Sequence, residues 1–172
     1  DYFGITPDII CCAKGLTNAT IPMGATVVQD YIYESMLENA DAPIELFHGY
    51  TYSGHPVACA AALATLDIYR DEGLFDNAAK MAPLIEQAAH SLKGSKHVVD
   101  IRNLGVIAAI ELEPRGNAVG ARGFETMKKA WELGLMVRAN GDTLAFSPPL
   151  IVNESQVDEM FTKVKQALEQ VE

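Results

Sequence analysis

Three things are missing from this sequence, and each absence removes a class of protein. No stretch approaches the ~20 apolar residues of a membrane-spanning helix, and no charged-then-apolar signal segment opens the chain. Basic residues never form a run: 13 Lys and Arg stand against 23 Asp and Glu, for a net charge of −10. A nucleic-acid footprint needs clustered Lys and Arg, so that partner is disfavoured, and so is an anionic membrane surface. Cysteine is scarce. Cys11, Cys12 and Cys59 make an odd count, two of them adjacent and with no C-x-x-C. That pattern argues against a disulfide framework or a zinc site and for a reducing cytosol; the three thiols read as small buried apolar side chains.

What remains is an ordinary globular balance, with 49% apolar and 21% charged residues over 172 positions. That length is enough for about one domain and a sizeable core. The chain opens Asp-Tyr-Phe-Gly rather than with methionine, and is read as one piece of a longer protein.

Residues 7–14, P-D-I-I-C-C-A-K, are a short apolar run ending in a charge. Such a run fits a strand buried on both faces, as in a parallel α/β sheet. Residues 24–29, G-A-T-V-V-Q, read as a second buried strand. Asp30 can cap a helix running from Tyr31 to about Asn39. Residues 40–55 look irregular. Pro56 suits the first turn of a helix reaching about Glu72, which Gly73 stops. A helix from Leu74 to Leu92 contains Pro83, so a kink or break is expected there, and Gly94 ends it.

Beyond that the period changes. Val98–Ile101 and Val106–Glu113 read as strands, and 124–133 as a helix closed by Gly134. Leu135–Ala139 and Thr143–Ser147 flank Asn140-Gly141, a hairpin signal because both residues tolerate positive φ. Asn153 and Gln156 have capping-box spacing, and Val157, Phe161, Val164 and Leu168 then repeat on one helical face. The pattern implies three parts: residues 1–55 as the tail of a parallel α/β domain, 56–74 as a linking helix, and 75–172 as a small α+β domain with an antiparallel sheet.

Three places could carry chemistry. Lys14 ends an apolar strand, where open α/β sheets bind ligands. A lysine desolvated there loses pKa, and a neutral amine can form a Schiff base; a lysine that only snorkels is the alternative. H-G-Y-T-Y-S-G-H-P, residues 48–56, is a Gly-rich loop before a helix N-terminus, the arrangement that binds phosphate through main-chain N–H groups. Hydroxyls at Thr51, Tyr52 and Ser53 add donors, although a turn that merely caps the helix has the same pattern. His48 and His55 lack carboxylate company, so no metal is expected. Arg138 shares a strand face with Met136, opposite Leu135 and Val137; it is either a surface residue or a carboxylate ligand.

Longer words decide among these. P-D-I-I-C-C-A-K-G-L-T-N-A-T-I-P-M-G-A, residues 7–25, resembles the cofactor-lysine segment of class III aminotransferases. These are fold-type I pyridoxal-phosphate enzymes, and the segment looks most like the ω-amino acid–pyruvate (β-alanine–pyruvate) branch. The loop at 48–56 resembles the family's G-[FY]-T-Y-S-G-H-P motif. G-L-M-V-R-A-N-G-D-T-L-A-F-S-P-P-L, residues 134–150, is similar to the same branch's C-terminal motif, and R-N-L-G-V-I-A-A-I-E-L-E-P-R, residues 102–115, also matches.

The resemblance implies an α/β fold: the C-terminal part of a fold-type I transferase, with the end of a large parallel-sheet domain and a small α+β domain. It implies pyridoxal 5′-phosphate bound as a Schiff base at Lys14, with Tyr50 and Thr51 as further cofactor residues. Thr51 would reach the phosphate of the partner subunit, so a homodimer with shared active sites is expected. Arg138 would grip a substrate α-carboxylate through its planar guanidinium and swing away for substrates lacking one. The implied reaction passes an amino group from an ω-amino acid or amine to pyruvate, in the cytoplasm. Other reactions of the same class stay open: 4-aminobutyrate or ornithine transamination, an aminomutase or a decarboxylase. So does an inert or dimerising fragment. The family's ring-nitrogen aspartate, glycine-serine phosphate loop and stacking aromatic would precede residue 1, so this chain alone is expected to bind cofactor weakly and not to turn over.

Overall fold

The computed structural model describes residues 3–38 and 48–172. The chain divides into two compact units, Asp1–Glu72 and Gly73–Glu172.

In the first unit, β1 (Ile9–Ala13) leads through a 3-10 turn (Lys14–Leu16) and a loop to β2 (Gly24–Val28). Both strands form where the apolar runs predict them, but they are antiparallel partners, with Ile9 opposite Val28 and Ala13 opposite Gly24. The parallel reading of this pair is therefore corrected. The ten residues between the strands fold straight back, and a parallel return would need a crossover of a dozen residues or more. Nor are the strands buried on both faces: Ile9, Ile10 and Val27 are about half exposed. A two-stranded sheet cannot cover its own faces. The thiols follow the strands, with Cys11 exposed and Cys12 and Cys59 half-buried rather than buried.

Helix α1 (Asp30–Glu38) carries Asp30 in its first turn, where a carboxylate suits the helix dipole. The Tyr31 hydroxyl donates to the Asp8 carboxylate at 3.0 Å and ties the helix back to the start of β1. The expected end at Asn39 and the first half of the expected loop, residues 40–47, lie outside the described residues. Helix α2 (Pro56–Asp71) starts on the proline and buries Ala58, Ala62 and Thr65, one helical stripe. It stops as its sequence predicts, with Gly73 left-handed at φ 60°.

The second unit is a two-layer α+β fold. Its sheet runs β3 (Val98–Leu104), β4 (Ile107–Leu112), β6 (Thr143–Phe146), β5 (Arg138–Asn140) in spatial order, and every pairing is antiparallel. Ala108, Ile110 and Leu112 alternate inward along β4, as do Leu144 and Phe146 along β6. They meet α3 (Leu74–His90), α4 (Ala121–Glu132) and α5 (Glu154–Glu169). Val157, Phe161, Val164 and Leu168 of α5 are all buried, and the Asn153–Gln156 capping box is formed.

Three expectations shift here. Helix α3 runs through Pro83 unbroken. Pro83 and Ala79 both lie on the exposed side, so the Ala79 carbonyl that the missing N–H frees faces water. Helix α4 starts three residues before Phe124, at Ala121. The hairpin turn is Gly141-Asp142 rather than Asn140-Gly141, since Asn140 is paired with Thr143. Only Gly141 takes positive φ, at 59°, the pattern of a II′ turn with glycine first.

Candidate active site

Lys14 stands at the C-terminal end of β1, as its sequence position implies. Its backbone is left-handed, at φ 54°, and Asn18 and Ala19 follow at 49° and 59°. Left-handed backbone crowds the Cβ of an L-residue and costs roughly 1–2 kcal/mol per residue. Strain of this kind persists only where surrounding structure imposes it, and it concentrates at functional sites. The loop is anchored by Thr17, which is 1% exposed and donates its hydroxyl to the Ile21 carbonyl at 2.7 Å. Thr20 donates in turn to the Thr17 carbonyl at 2.7 Å. Sequence reading gave Thr17 no role; a threonine inside a polar turn looks like any other.

The Lys14 side chain is exposed, which corrects the expectation of a desolvated amine. Among the described residues, the strand it ends is paired with β2 alone. The Lys14 amine has no hydrogen-bond or ion-pair partner among the described residues.

Tyr50 and Thr51 lie together in the turn before α2. The turn is closed by main-chain bonds from Ser53 N–H to Tyr50 and from His55 N–H to Tyr52, with Gly54 at φ 70°. No side chain caps α2, and Pro56 has no N–H. The Val57 and Ala58 N–H groups therefore head the helix uncapped among the described residues, an arrangement that suits an anion. Among the described residues, the Thr51 hydroxyl has only a long contact, 3.5 Å to the Gly49 carbonyl. Tyr50, Thr51 and His55 line a cavity of 740 Å³ with Pro22, Met23 and Gly24. Those last three trail the Lys14 loop, so the cavity joins the two motifs, although Lys14 itself is not on its wall. Tyr50 also borders a neighbouring cavity of 860 Å³ and stacks near His48, with ring centres 5.1 Å apart.

Chemically, an amine on a strained loop suits an aldehyde, and hydroxyls with uncapped N–H groups at a helix start suit a phosphate.

Arg138 belongs to the second unit. It lies on β5 opposite Ala145, exposed beside a buried Val137, with Met136 82% exposed, so the strand parity holds. Its guanidinium has no partner among the described residues. What holds its hairpin is a group that sequence reading missed. Asp142, 7% exposed, accepts from Gly120 N–H at 2.6 Å and Gly123 N–H at 2.9 Å, the first turn of α4. Burial alone raises this carboxyl's pKa. The N–H groups of Gly120, Gly123 and Arg122, with the Arg122 charge, outweigh burial and hold it below the ordinary carboxylate value. The approach is close enough that a Cβ on Gly123 would overlap the Gly141 carbonyl oxygen and lie 2.8 Å from Asp142 Cα. A G-x-x-G whose second glycine lies 19 residues before its acidic partner could not be recognised without knowing that the two segments meet. Arg122, itself buried, donates from Nη1 to the Glu113 carbonyl at 2.6 Å and from Nε to the Glu172 main-chain oxygen at 3.0 Å.

A lysine on a left-handed loop at a strand end, followed by an uncapped helix start, is an arrangement able to hold a phosphate-bearing aldehyde cofactor. The family model for class III aminotransferases matches residues 1–168, and the chain belongs to that family, whose members depend on pyridoxal phosphate. It is 52% identical over its whole length to the omega-aminotransferase of Caulobacter vibrioides, covering 39% of that protein. It is 44% identical over 98% of its length to the beta-alanine–pyruvate aminotransferase of Pseudomonas aeruginosa, covering 38%. Among solved structures, the omega transaminase of Pseudomonas jessenii in complex with PMP superposes with a TM-score of 0.90 at 36% identity, over 98% of this chain and 39% of that one. A transaminase with L-ala gives 0.92 at 33% identity, over 98% and 41%. The chain thus spans about two fifths of the relatives it matches, and its fold is that of the C-terminal part of a fold-type I transferase.

Proposed function

We propose that this chain supplies part of the active site of a pyridoxal-phosphate aminotransferase that moves an amino group from an ω-amino acid or amine to pyruvate, with Lys14 as the Schiff-base residue. The observation that carries the reading is Lys14 itself: an amine with no partner among the described residues, on a left-handed residue at the end of β1. When bound, the cofactor supplies an aldehyde and an electron-withdrawing ring. The rest falls to the protein. The Lys14 Nζ atom holds the cofactor at rest and, once displaced by the amino donor, accepts a proton from the substrate carbon and returns it. Tyr50 and Thr51, with the uncapped Val57 and Ala58 N–H groups, bind the phosphate end. In a homodimer with shared sites, Thr51 serves the partner subunit's cofactor.

Arg138 pairs with the α-carboxylate of the keto acid, which its fork of N–H donors matches in two bonds. With no partner among the described residues, it moves aside for donors with no carboxylate there. Three free thiols accord with a cytoplasmic setting. The 172 residues alone are inactive, because β1 and β2 leave Lys14 open to water. The test is reduction of the cofactor-loaded, full-length enzyme with borohydride, followed by mass spectrometry of its peptides. A pyridoxyl adduct at Lys14 is expected; an adduct on another lysine, or none, rejects the reading.

A further inference from the structure

We propose that Tyr69 is a positioning residue for the cofactor lysine: its hydroxyl grips the Gly15 carbonyl and holds the strained loop that presents the Lys14 amine. The inference rests on the reading of Lys14 given above.

Three of the four non-glycine residues with positive φ among the described residues, Lys14, Asn18 and Ala19, fall within this one loop. Left to itself such backbone relaxes, because each Cβ crowds the neighbouring carbonyl. The loop's main-chain bonds to the Lys14 and Gly15 carbonyls are long, whereas Thr20 N–H reaches the Thr17 carbonyl at 3.1 Å. Thr17 and Ala19 N–H reach the Lys14 carbonyl at 3.3 and 3.2 Å, and Asn18 N–H reaches Gly15 at 3.4 Å, near or beyond the upper end of the useful range. Three short bonds remain. Two close the far end of the loop from within: Thr17 to the Ile21 carbonyl and Thr20 to the Thr17 carbonyl.

The other comes from outside. The Tyr69 hydroxyl on α2 donates to the Gly15 carbonyl at 2.6 Å, across 54 positions of sequence. Helix α2 buries Ala58, Ala62 and Thr65, so the tether starts from a packed element. It ends on the peptide next to Lys14. Gly15 fits the same account: a Cβ there would sit 3.2 Å from the Tyr69 oxygen, although its own φ is not positive and alanine is otherwise allowed.

The test uses Tyr69→Phe in the full-length, cofactor-loaded enzyme that contains this chain, with Gly15→Ala as a second variant. Phenylalanine keeps the ring and deletes only the donor. A net hydrogen bond of about 1 kcal/mol corresponds to roughly five-fold. The expected result is a kcat about five-fold lower in both variants, with KM for pyruvate within about two-fold. The pH midpoint of the bound cofactor's visible absorbance should move as well, a signature that a purely structural tyrosine leaves in place. Borohydride mapping of the parent enzyme comes first. An adduct away from Lys14 removes the reading of Lys14 and this proposal with it. An adduct at Lys14, with kcat and absorbance midpoint unchanged in both variants, overturns this proposal alone.

Discussion

Replacing Asp142 by alanine should loosen the second unit more than any surface substitution, and the size of the effect can be worked from its contacts. The carboxylate accepts two main-chain bonds, from Gly120 and Gly123, in a nearly buried position. Deleting it strands both N–H groups at the start of α4. A lost helix cap costs about 0.5–2 kcal/mol, and a buried donor left without a partner costs roughly 1–3 kcal/mol. Together the expected loss is roughly 2–4 kcal/mol at pH 7. Trp131 is the chain's single tryptophan and lies on the same helix, so urea unfolding followed by its fluorescence reads the right element. The pH dependence follows from the depressed folded pKa of Asp142. Its stabilisation is fully present above the unfolded carboxylate value of about 4 and disappears as pH falls through the lower folded value. Parent and variant curves should therefore converge in acid below about pH 4. A loss under about 0.5 kcal/mol at pH 7 would refute the capping argument, and so would a gap that persists unchanged into strong acid.

Other consequences follow from the same structure. Gly123→Ala should destabilise the unit by roughly 3 kcal/mol, because the new Cβ meets main-chain atoms of Gly141 and Asp142 that no rotamer can move; the same fluorescence titration measures it, and a stability equal to the parent's counts against the close packing. Arg138→Ala in the full-length enzyme should raise KM for pyruvate at least ten-fold, as a lost charged bidentate pair of about 2 kcal/mol requires, while activity toward a simple amine donor falls far less; equal losses argue against a carboxylate role. For His97, burial first, then the charges of Arg122 and Lys96, hold the imidazole pKa below its ordinary value. The folded state thus resists protonation, and stability should decline as pH falls below about 6.5 and level off beneath the folded pKa. His97→Gln should flatten that step in unfolding measured between pH 8 and 5.

Much of the architecture is written in local chemistry. Pro56 and Gly73 bracket α2, Asn153 with Gln156 starts α5, and the parity of residues 135–138 puts Val137 inward and Met136 and Arg138 outward as observed. Each of these signals depends on residues within a turn or a strand of one another. The misreadings share the opposite property. The apolar run 8–13 looks the same whether its neighbour is parallel or antiparallel, and its burial depends on what covers it. Asn140-Gly141 is a sound turn signal, but the register with β6 moved the turn one residue on, so that Asp142 could reach α4. Pro83 lacks a hydrogen bond in any helix; that this is tolerable follows from its facing water.

The sequence by itself determined the family and the positions of most helices and strands, and it singled out Lys14 as the proposed cofactor lysine. Those follow from residue types at short spacing, where capping, periodicity and motif words act. Only the tertiary structure decided what holds the chemistry in place: Tyr69 on the loop of Lys14, Thr17 buried within that loop, and Asp142 under the hairpin of Arg138. The tethers on Gly15 and on α4 are hydrogen bonds to main-chain groups far away in sequence. Any residue offers such groups, so nothing in the letters marks which one a distant hydroxyl or carboxylate will find.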